Sequence, residues 1–509
     1  MSIELTKTDI GTAEVLYDNF AEQGIDCDIS LPDYCPDIMR ILRCSVTNSI
    51  TNSKISGDRA TVDGNAKIRI VYADDKNGIY CYEQDYPFSK FSELPQTYDG
   101  AVLCSSAKTE YANCRAVSKK RIDIHGVVSI RFKIVGIKNE SVITDAEGDG
   151  IQLRKKKIGT DSVAAVVMKK FQLSQTEEAD GGEIGKIFYA CASPVLSETK
   201  IIKGKILLKG EAVLKVMYCS ATGENESVCV NYNLPFSEII DIESIDDSCN
   251  VSVGFNVDQV QAEPKTDNDG EYKYLNLGCD ICAVVTAYKT EDICVITDSY
   301  STQKEIDAKY KTETFTQILQ NLNDSIICRE SVDLSSMNPQ RIYAAIAQSP
   351  EAKSRFDADK MTVTGKIPLK FILIDGEGTP TFCEREAEFE YSRSIDAKGG
   401  NLHCDPKLFL TGYSCTLTSD GRAEFKAEMN ISADITETSE CRTLVSLKTM
   451  ENSELKKRHS SLVICFCNGG EKIWDIARKY NTTVEDIMSE NELTSDEIGE
   501  KMMLMIPVK

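Results

Sequence analysis

The chain has 509 residues, enough for roughly three or four domains of about 100–200 residues each. Apolar residues make up 41%, which supplies real cores and excludes a disordered chain. The formal net charge of −22 repels phosphate backbones, so nucleic acid and anionic membrane are poor partners and a basic protein or a neutral glycan fits better.

The N-terminal stretch Met1 to Phe20 is polar and acidic, without the apolar centre of a signal peptide. No window approaches about 18 uninterrupted apolar residues, so no membrane insertion is expected. The chain is expected to stay in the cytoplasm of the cell that makes it.

The main body reads as three copies of one unit. Each start shows a candidate capping residue (Asp37, Glu183 or Asn338), a basic residue and then an apolar pair, which predicts one short helical turn. Pro339 fits the first helical position of the third. A long alternating segment follows: Val62 to Tyr72, Ile206 to Tyr218, and Val363 to Leu373. Its period of two predicts strands with one buried face. Turn-rich runs come next, at Asp74–Gly78, Thr222–Asn225 and Asp375–Gly378, and read as hairpin loops. The returning strands end at Phe88-Ser89, Phe236-Ser237 and Tyr391-Ser392. A further alternating run closes each copy: Ile122 to Val135, Leu275 to Tyr288, and Phe425 to Ile435. These patterns predict a mainly β chain of β-sandwich-like modules of roughly 130–150 residues. Each looks large enough for its own core, so the modules need not touch.

The connections read as short. Ser141 to Gly150 and Gln175 to Gly182 are acidic loops. Arg154 to Lys157 is a basic run on a solvated strand edge. Asn452 to Arg458 is a flexible tether.

Most of the twenty cysteines lie in apolar strand-like runs (Cys81, Cys219, Cys229, Cys294, Cys328), which reads as reduced thiols packed in cores. A strand would point Cys279 and Cys282 to opposite faces, and Cys465 and Cys467 to one face. His125, His403 and His459 are far apart in sequence and in no ligand spacing. There is no nucleophile elbow, phosphate loop or zinc-protease motif. The expectation is a non-enzymatic chain with no catalytic, cofactor or metal site.

The last fifty residues have a different pattern. Ile473, Ile476, Ala477 and Tyr480 mark one face of a short helix around Trp474, the chain's only tryptophan. Thr482 and Glu485 fit a capping box for a second helix, with Val484, Ile487 and Met488 on its apolar face. Apolar runs at Leu462–Ile464 and Met502–Ile506 flank the pair. The order is βααβ, with Trp474 filling a small core.

This end resembles the LysM module at Gly470, Glu471, Ile473, Trp474, Ile476, Ala477, Tyr480, Asn491 and Ile506-Pro507. It departs from that pattern at Lys472 and in a longer Gly499–Pro507 ending. The repeats resemble the SPOCS domain of endospore-forming Firmicutes, through Leu31-Pro-Asp-Tyr-Cys-Pro-Asp-Ile38, the glycine-containing alternating strand, and Tyr86-Pro-Phe-Ser or Leu234-Pro-Phe-Ser. SPOCS copies followed by one LysM module are the layout of SipL-like spore coat morphogenetic proteins. The resemblance divides the chain into a lead segment (1–25), SPOCS-like modules at 26–165, 166–310 and 311–450, a tether (451–459) and a LysM-like domain (460–509). It implies a scaffold in spore coat assembly at the forespore surface in the mother cell. There the LysM module docks onto a coat morphogenetic ATPase or another coat protein. LysM modules also imply a second partner, the N-acetylglucosamine polymer of peptidoglycan. The candidate binding residues are Gly470, Glu471, Lys472, Trp474, Asn491 and Leu493.

Overall fold

The computed structural model describes residues 3–507 apart from 181, 203, 221–226, 358–359, 396–400 and 455–461. The hairpin loop expected at 222–225 and the basic end of the tether lie outside the described residues.

Alternating apolar residues build long strands. The first module contains β1 (Glu4–Ser30), β2 (Arg40–Ser56), β3 (Arg59–Ala73), β4 (Ile79–Glu93), β5 (Val102–Ala116) and β6 (Arg121–Glu147). They form two antiparallel sheets, ordered β1-β6-β5 and β2-β3-β4. Ile122, Ile124, Val128, Ile130, Phe132 and Ile134 give β6 one fully buried face. That face packs with Val62, Ile68 and Ile70 of β3 and Phe88 of β4, so the two sheets enclose one core.

The second module repeats the plan with β7 (Ile151–Glu178), β8 (Ile184–Ile202), β9 (Lys205–Ser220), β10 (Ser227–Asp241), β11 (Asn250–Lys265) and β12 (Tyr274–Ser301). Its sheets run β11-β12-β7 and β10-β9-β8. The third has β13 (Lys304–Asp333), β14 (Pro339–Ala347), β15 (Glu351–Asp357), β16 (Lys360–Asp375), β17 (Pro380–Ser394), β18 (Asn401–Cys404), β19 (Lys407–Leu417) and β20 (Arg422–Glu454). Here the second strand is split into β14 and β15, and the fifth into β18 and β19.

One device recurs in all three cores. Gly64, Gly210 and Gly365 lie in register with Phe88, Phe236 and Phe389 on the next strand. A Cβ at these glycines would fall 2.2–2.3 Å from a carbonyl oxygen of the other neighbouring strand and 2.4–2.6 Å from the phenylalanine ring. The ring therefore lies flat over bare backbone, which only glycine allows. This explains the glycine strand and the Phe-Ser piece as one unit. It also corrects the third copy, where Phe389 rather than Tyr391 stands in the equivalent place.

Other expectations are revised too. Strand pairing groups residues 4–147, 151–301 and 304–454, so the boundaries expected at 26, 166 and 311 fall inside β1, β7 and β13. The supposed lead segment is most of β1, paired with β6 from end to end. Residues 141–147 and 175–178 are strand, not loop, because each ladder continues through its acidic residues. Residues 452–454 likewise belong to β20. Arg154 to Lys157 lie in β7, at the edge of its sheet, where Lys155 pairs with Asp145 at 2.8 Å and Lys157 with Asp292 at 2.8 Å.

No helical turn begins at Asp37, Glu183 or Asn338. Residue 37 is irregular, Glu183 precedes β8, and Asn338 ends a 3-10 turn (Ser335–Met337) in the left-handed region at φ 45°. Pro339 starts β14, a strand position where its missing N–H is tolerated. All twenty cysteines are free thiols. Cys279 lies in the core of the second module.

The modules do touch. The outer faces of their second sheets meet in one apolar cluster that includes Leu42, Val71, Phe188, Met217, Tyr343 and Ile372. A second cluster joins the long arms of the first sheets through Ile10, Val142, Ile158, Val295, Phe315 and Cys441. A third follows along the same arms, with Ile143, Ile296, Leu444 and Leu447. Each sheet is thus apolar on parts of both faces, and the surplus face closes the junction.

A basic residue sits at one matching position of each central strand. Arg69 is opposite Glu83 and pairs with it at 2.6 Å. Lys370 is opposite Glu384 and pairs with it at 3.1 Å. Lys215 is opposite Asn231 instead. It is 2% exposed, and among the described residues its Nζ has no hydrogen-bond partner. The ammonium lies 3.3 Å from the ring centre of Tyr413 in the third module. Burial pulls its pKa down to about 8.

Candidate functional site

The C-terminal domain pairs β21 (Leu462–Cys467) with β22 (Met502–Pro507) and packs α1 (Ile473–Tyr480) and α2 (Val484–Glu490) against one face. Ile473, Ile476, Ala477, Ile487, Leu504 and Ile506 form its core. Cys465 and Cys467 share a strand face, with sulfurs 3.6 Å apart. Burial, then the Cys465 contact, pushes the Cys467 thiol up to about 12. The cap of α2 is one residue later than the sequence suggests. Thr483, not Thr482, accepts the N–H of Asp486 at 3.0 Å. Thr482 is buried instead, and its carbonyl accepts the Tyr300 hydroxyl at 2.8 Å.

Two loops form the candidate groove. Gly470 N–H donates to the Ile498 carbonyl at 2.7 Å, and Ile498 N–H to that of Glu471 at 3.0 Å. Ile473 N–H donates to the Asp496 carbonyl at 2.8 Å, and Lys472 bridges to Glu497. Gly470 has φ 87°, a left-handed conformation that suits glycine. Gly470, Glu471 and Lys472 therefore come together with residues 496–498 on a surface laced by backbone hydrogen bonds. Glu471, Asp496, Glu497 and Glu500 are exposed at it, and Glu490 and Glu492 are exposed at the end of α2.

The other three candidates are placed differently. Asn491 spends its side chain on the fold: Nδ2 donates to the carbonyls of Ile487 at 2.8 Å and Met505 at 2.7 Å, and Oδ1 accepts Met505 N–H at 2.7 Å. Leu493 is half-buried against the core. Trp474 is 8% exposed and points at the second module. Its ring meets Tyr300 edge-on, with centroids 4.9 Å apart. Its indole N–H donates to Asp298 at 2.9 Å, and Arg478 donates to the same carboxylate at 2.9 Å. The tip of β12 thus completes the domain's core and orients the domain on the module junction.

Sequence reading missed Asp298 and Tyr300, because nothing local links them to a helix far along the chain. It also missed the outer face of the small sheet. Ile464 faces Met505 and Phe466 faces Met503, and all four are exposed, Phe466 by 81%. The signal was available: both strands are apolar at nearly every position, whereas one buried face needs only alternate ones.

The family model described as SipL, SPOCS domain matches residues 37–117 and 183–265. The LysM domain model matches residues 470–507. This chain combines SPOCS domains with a LysM domain, the SipL-like layout. No curated protein and no solved structure matches it. The SPOCS matches cover β2 to β5 and β8 to β11, the second sheet and one strand of the first. The third SPOCS-like module has the same strand order without a match to that model. Both domains are binding or scaffold types. The SipL match points to an association with the spore coat. Among the described residues no helix is long and apolar enough to cross a membrane.

Proposed function

We propose that the protein is a non-enzymatic adaptor of spore coat assembly, acting in the mother cell at the forespore surface. Its LysM domain docks onto a coat morphogenetic ATPase, as the SipL-like layout implies. The observation that carries this reading is the exposed apolar face of Ile464, Phe466, Met503 and Met505 on a domain that is otherwise acidic. Exposed contiguous apolar side chains mark contacts with other proteins. A surface carrying Glu471, Asp496, Glu497 and Glu500 serves a basic protein better than it serves acetamido sugars. Gly470, Glu471 and Lys472 are the groove residues free to take part, and Trp474 supports the domain from behind.

Glycan binding is the second reading, favoured by the LysM match itself. One experiment separates them. The full chain is mixed with insoluble peptidoglycan or with the polymerised ATPase and sedimented. Docking predicts co-sedimentation with the ATPase, weakened by Phe466→Asp and by Glu471→Lys. Pelleting with peptidoglycan alone would replace this reading with the glycan one.

A further inference from the structure

The Leu31–Ile38 loop is used by neither the LysM docking nor the module cores alone. It is held rigidly. Leu31 N–H donates to the Lys120 carbonyl at 2.7 Å, Ile38 N–H to that of Lys119 at 2.8 Å, and Cys35 N–H to that of Pro32 at 3.0 Å. This leaves Tyr34 at the surface, 85% exposed, a large ring that the fold does not need there.

Tyr34 stands at the rim of a cavity of about 470 Å³ where the three modules meet. The first module contributes Tyr34, Ile79 and Tyr80, the second Phe188 and Lys186, and the third Tyr343. Phe188 and Tyr343 are stacked, with ring centres 6.2 Å apart, so the wall is flat and aromatic. The volume lies within the usual range for small-ligand sites, which are mostly apolar with a few placed polar groups. Polar groups are few here. Tyr80 donates its hydroxyl to Asp74 at 3.2 Å, and Asp74 in turn accepts the N–H groups of Lys76 and Gly78. The Lys186 ammonium donates to the Cys81 carbonyl at 2.5 Å, and among the described residues no carboxylate pairs with it. In a chain of net charge −22, a cation without an acid beside an aromatic hollow is a distinctive pairing.

We propose that this junction cavity binds a small amphiphilic anion, with its flat apolar body against Phe188 and Tyr343 and its charge at Lys186. A ligand there touches all three modules, so its binding also fixes their arrangement. This site is independent of LysM docking.

The test uses the full chain and two dyes, anionic 8-anilinonaphthalene-1-sulfonate and neutral N-phenyl-1-naphthylamine. The anionic dye should show a saturable fluorescence rise at one site per chain. Lys186→Glu, at an exposed side chain, should weaken it about tenfold, as expected for loss of a charge-assisted contact. The same change should leave the neutral dye within about twofold, because it has no charge for Lys186 to meet. Ile79→Trp fills the cavity from a half-exposed position and should abolish both, with circular dichroism and melting confirming that each variant is folded. Absence of a saturable signal, or titrations of the anionic dye unchanged by both substitutions, would overturn the proposal.

Discussion

The three modules agree inside and disagree where they meet. Inside, glycine and phenylalanine occupy the same register pair three times: Gly64–Phe88, Gly210–Phe236 and Gly365–Phe389. At the junction one basic position has two outcomes among the described residues: Arg69 and Lys370 each have a glutamate, and Lys215 has none. The difference follows from what surrounds each site. A sandwich core must close on itself in the same way in every copy. A junction of three copies in one chain has three unlike neighbours, so equivalent positions need not stay equivalent. Lys215 faces the Tyr413 ring, whereas Arg69 reaches the Phe188 carbonyl at 3.0 Å as well as its own glutamate.

The shared device should be the costliest to break. Gly210→Ala places a methyl group against the Val195 carbonyl and the Phe236 ring. Neither backbone nor ring can yield without opening the sandwich, so about 3 kcal/mol of stability should be lost, at the upper end for overpacking. Denaturant unfolding measures it. Gly64→Ala and Gly365→Ala should cost similar amounts. A loss below about 1 kcal/mol in any copy would show that its ring is not held against the backbone.

The unshared position should respond in the opposite direction. Lys215→Met removes a buried cation and keeps the volume, so the protein should gain about 2 kcal/mol at pH 7 after the ring contact is subtracted. The pH dependence gives the sign. The folded pKa is about 8 and the unfolded one near the ordinary lysine value, so between them the unfolded chain holds more protons. Stability attributable to Lys215 is therefore lowest below pH 8 and recovers as pH rises towards about 10.4. The gain from Lys215→Met should shrink through that window. Buried cysteines and tyrosines titrate in both proteins, so the difference between the two curves isolates the lysine.

This contrast also sorts what could be read from sequence. Periodicity of two revealed nearly every strand, because a half-buried sheet writes its pattern into consecutive residues. The β21-α1-α2-β22 order was legible for the same reason, with Trp474 as the marker. The helical turns at Asp37 and Glu183 were not there, because capping residues suit turns before strands equally well. The junction was hidden: contacts such as Phe188 with Tyr343 or Trp474 with Tyr300 join residues more than a hundred positions apart. Of the candidate site, Gly470, Glu471 and Lys472 fall together, while the roles of Asn491 and Trp474 depend on partners no local pattern reveals.

The LysM docking on the second module should be weaker than either effect. Asp298→Ala leaves the Trp474 N–H and the Arg478 guanidinium without their shared acceptor, at a cost of about 1.5 kcal/mol to that contact. Trp474 is the only tryptophan, so its emission reports this interface alone. The emission should shift to the red and acrylamide quenching should rise in the variant. Unchanged emission would place the support for Trp474 within the LysM domain itself.

The smallest effect is the most discriminating for the junction. Asn231→Glu puts an acid opposite Lys215, reproducing the pair at Arg69–Glu83 and Lys370–Glu384. Asn231 is exposed and its weak contact to the Thr411 carbonyl, at 3.5 Å, is a small loss. The new carboxylate should favour the protonated lysine and raise its pKa, moving the lower edge of the window of pH-dependent stability upwards. Stability at pH 7 should rise by under about 1 kcal/mol, because a partly solvated carboxylate gains little from pairing. If the window does not move, the lysine amine is turned fully towards Tyr413 and away from its own strand neighbour. The second module would then have exchanged an ion pair within one sheet for a contact with the next module.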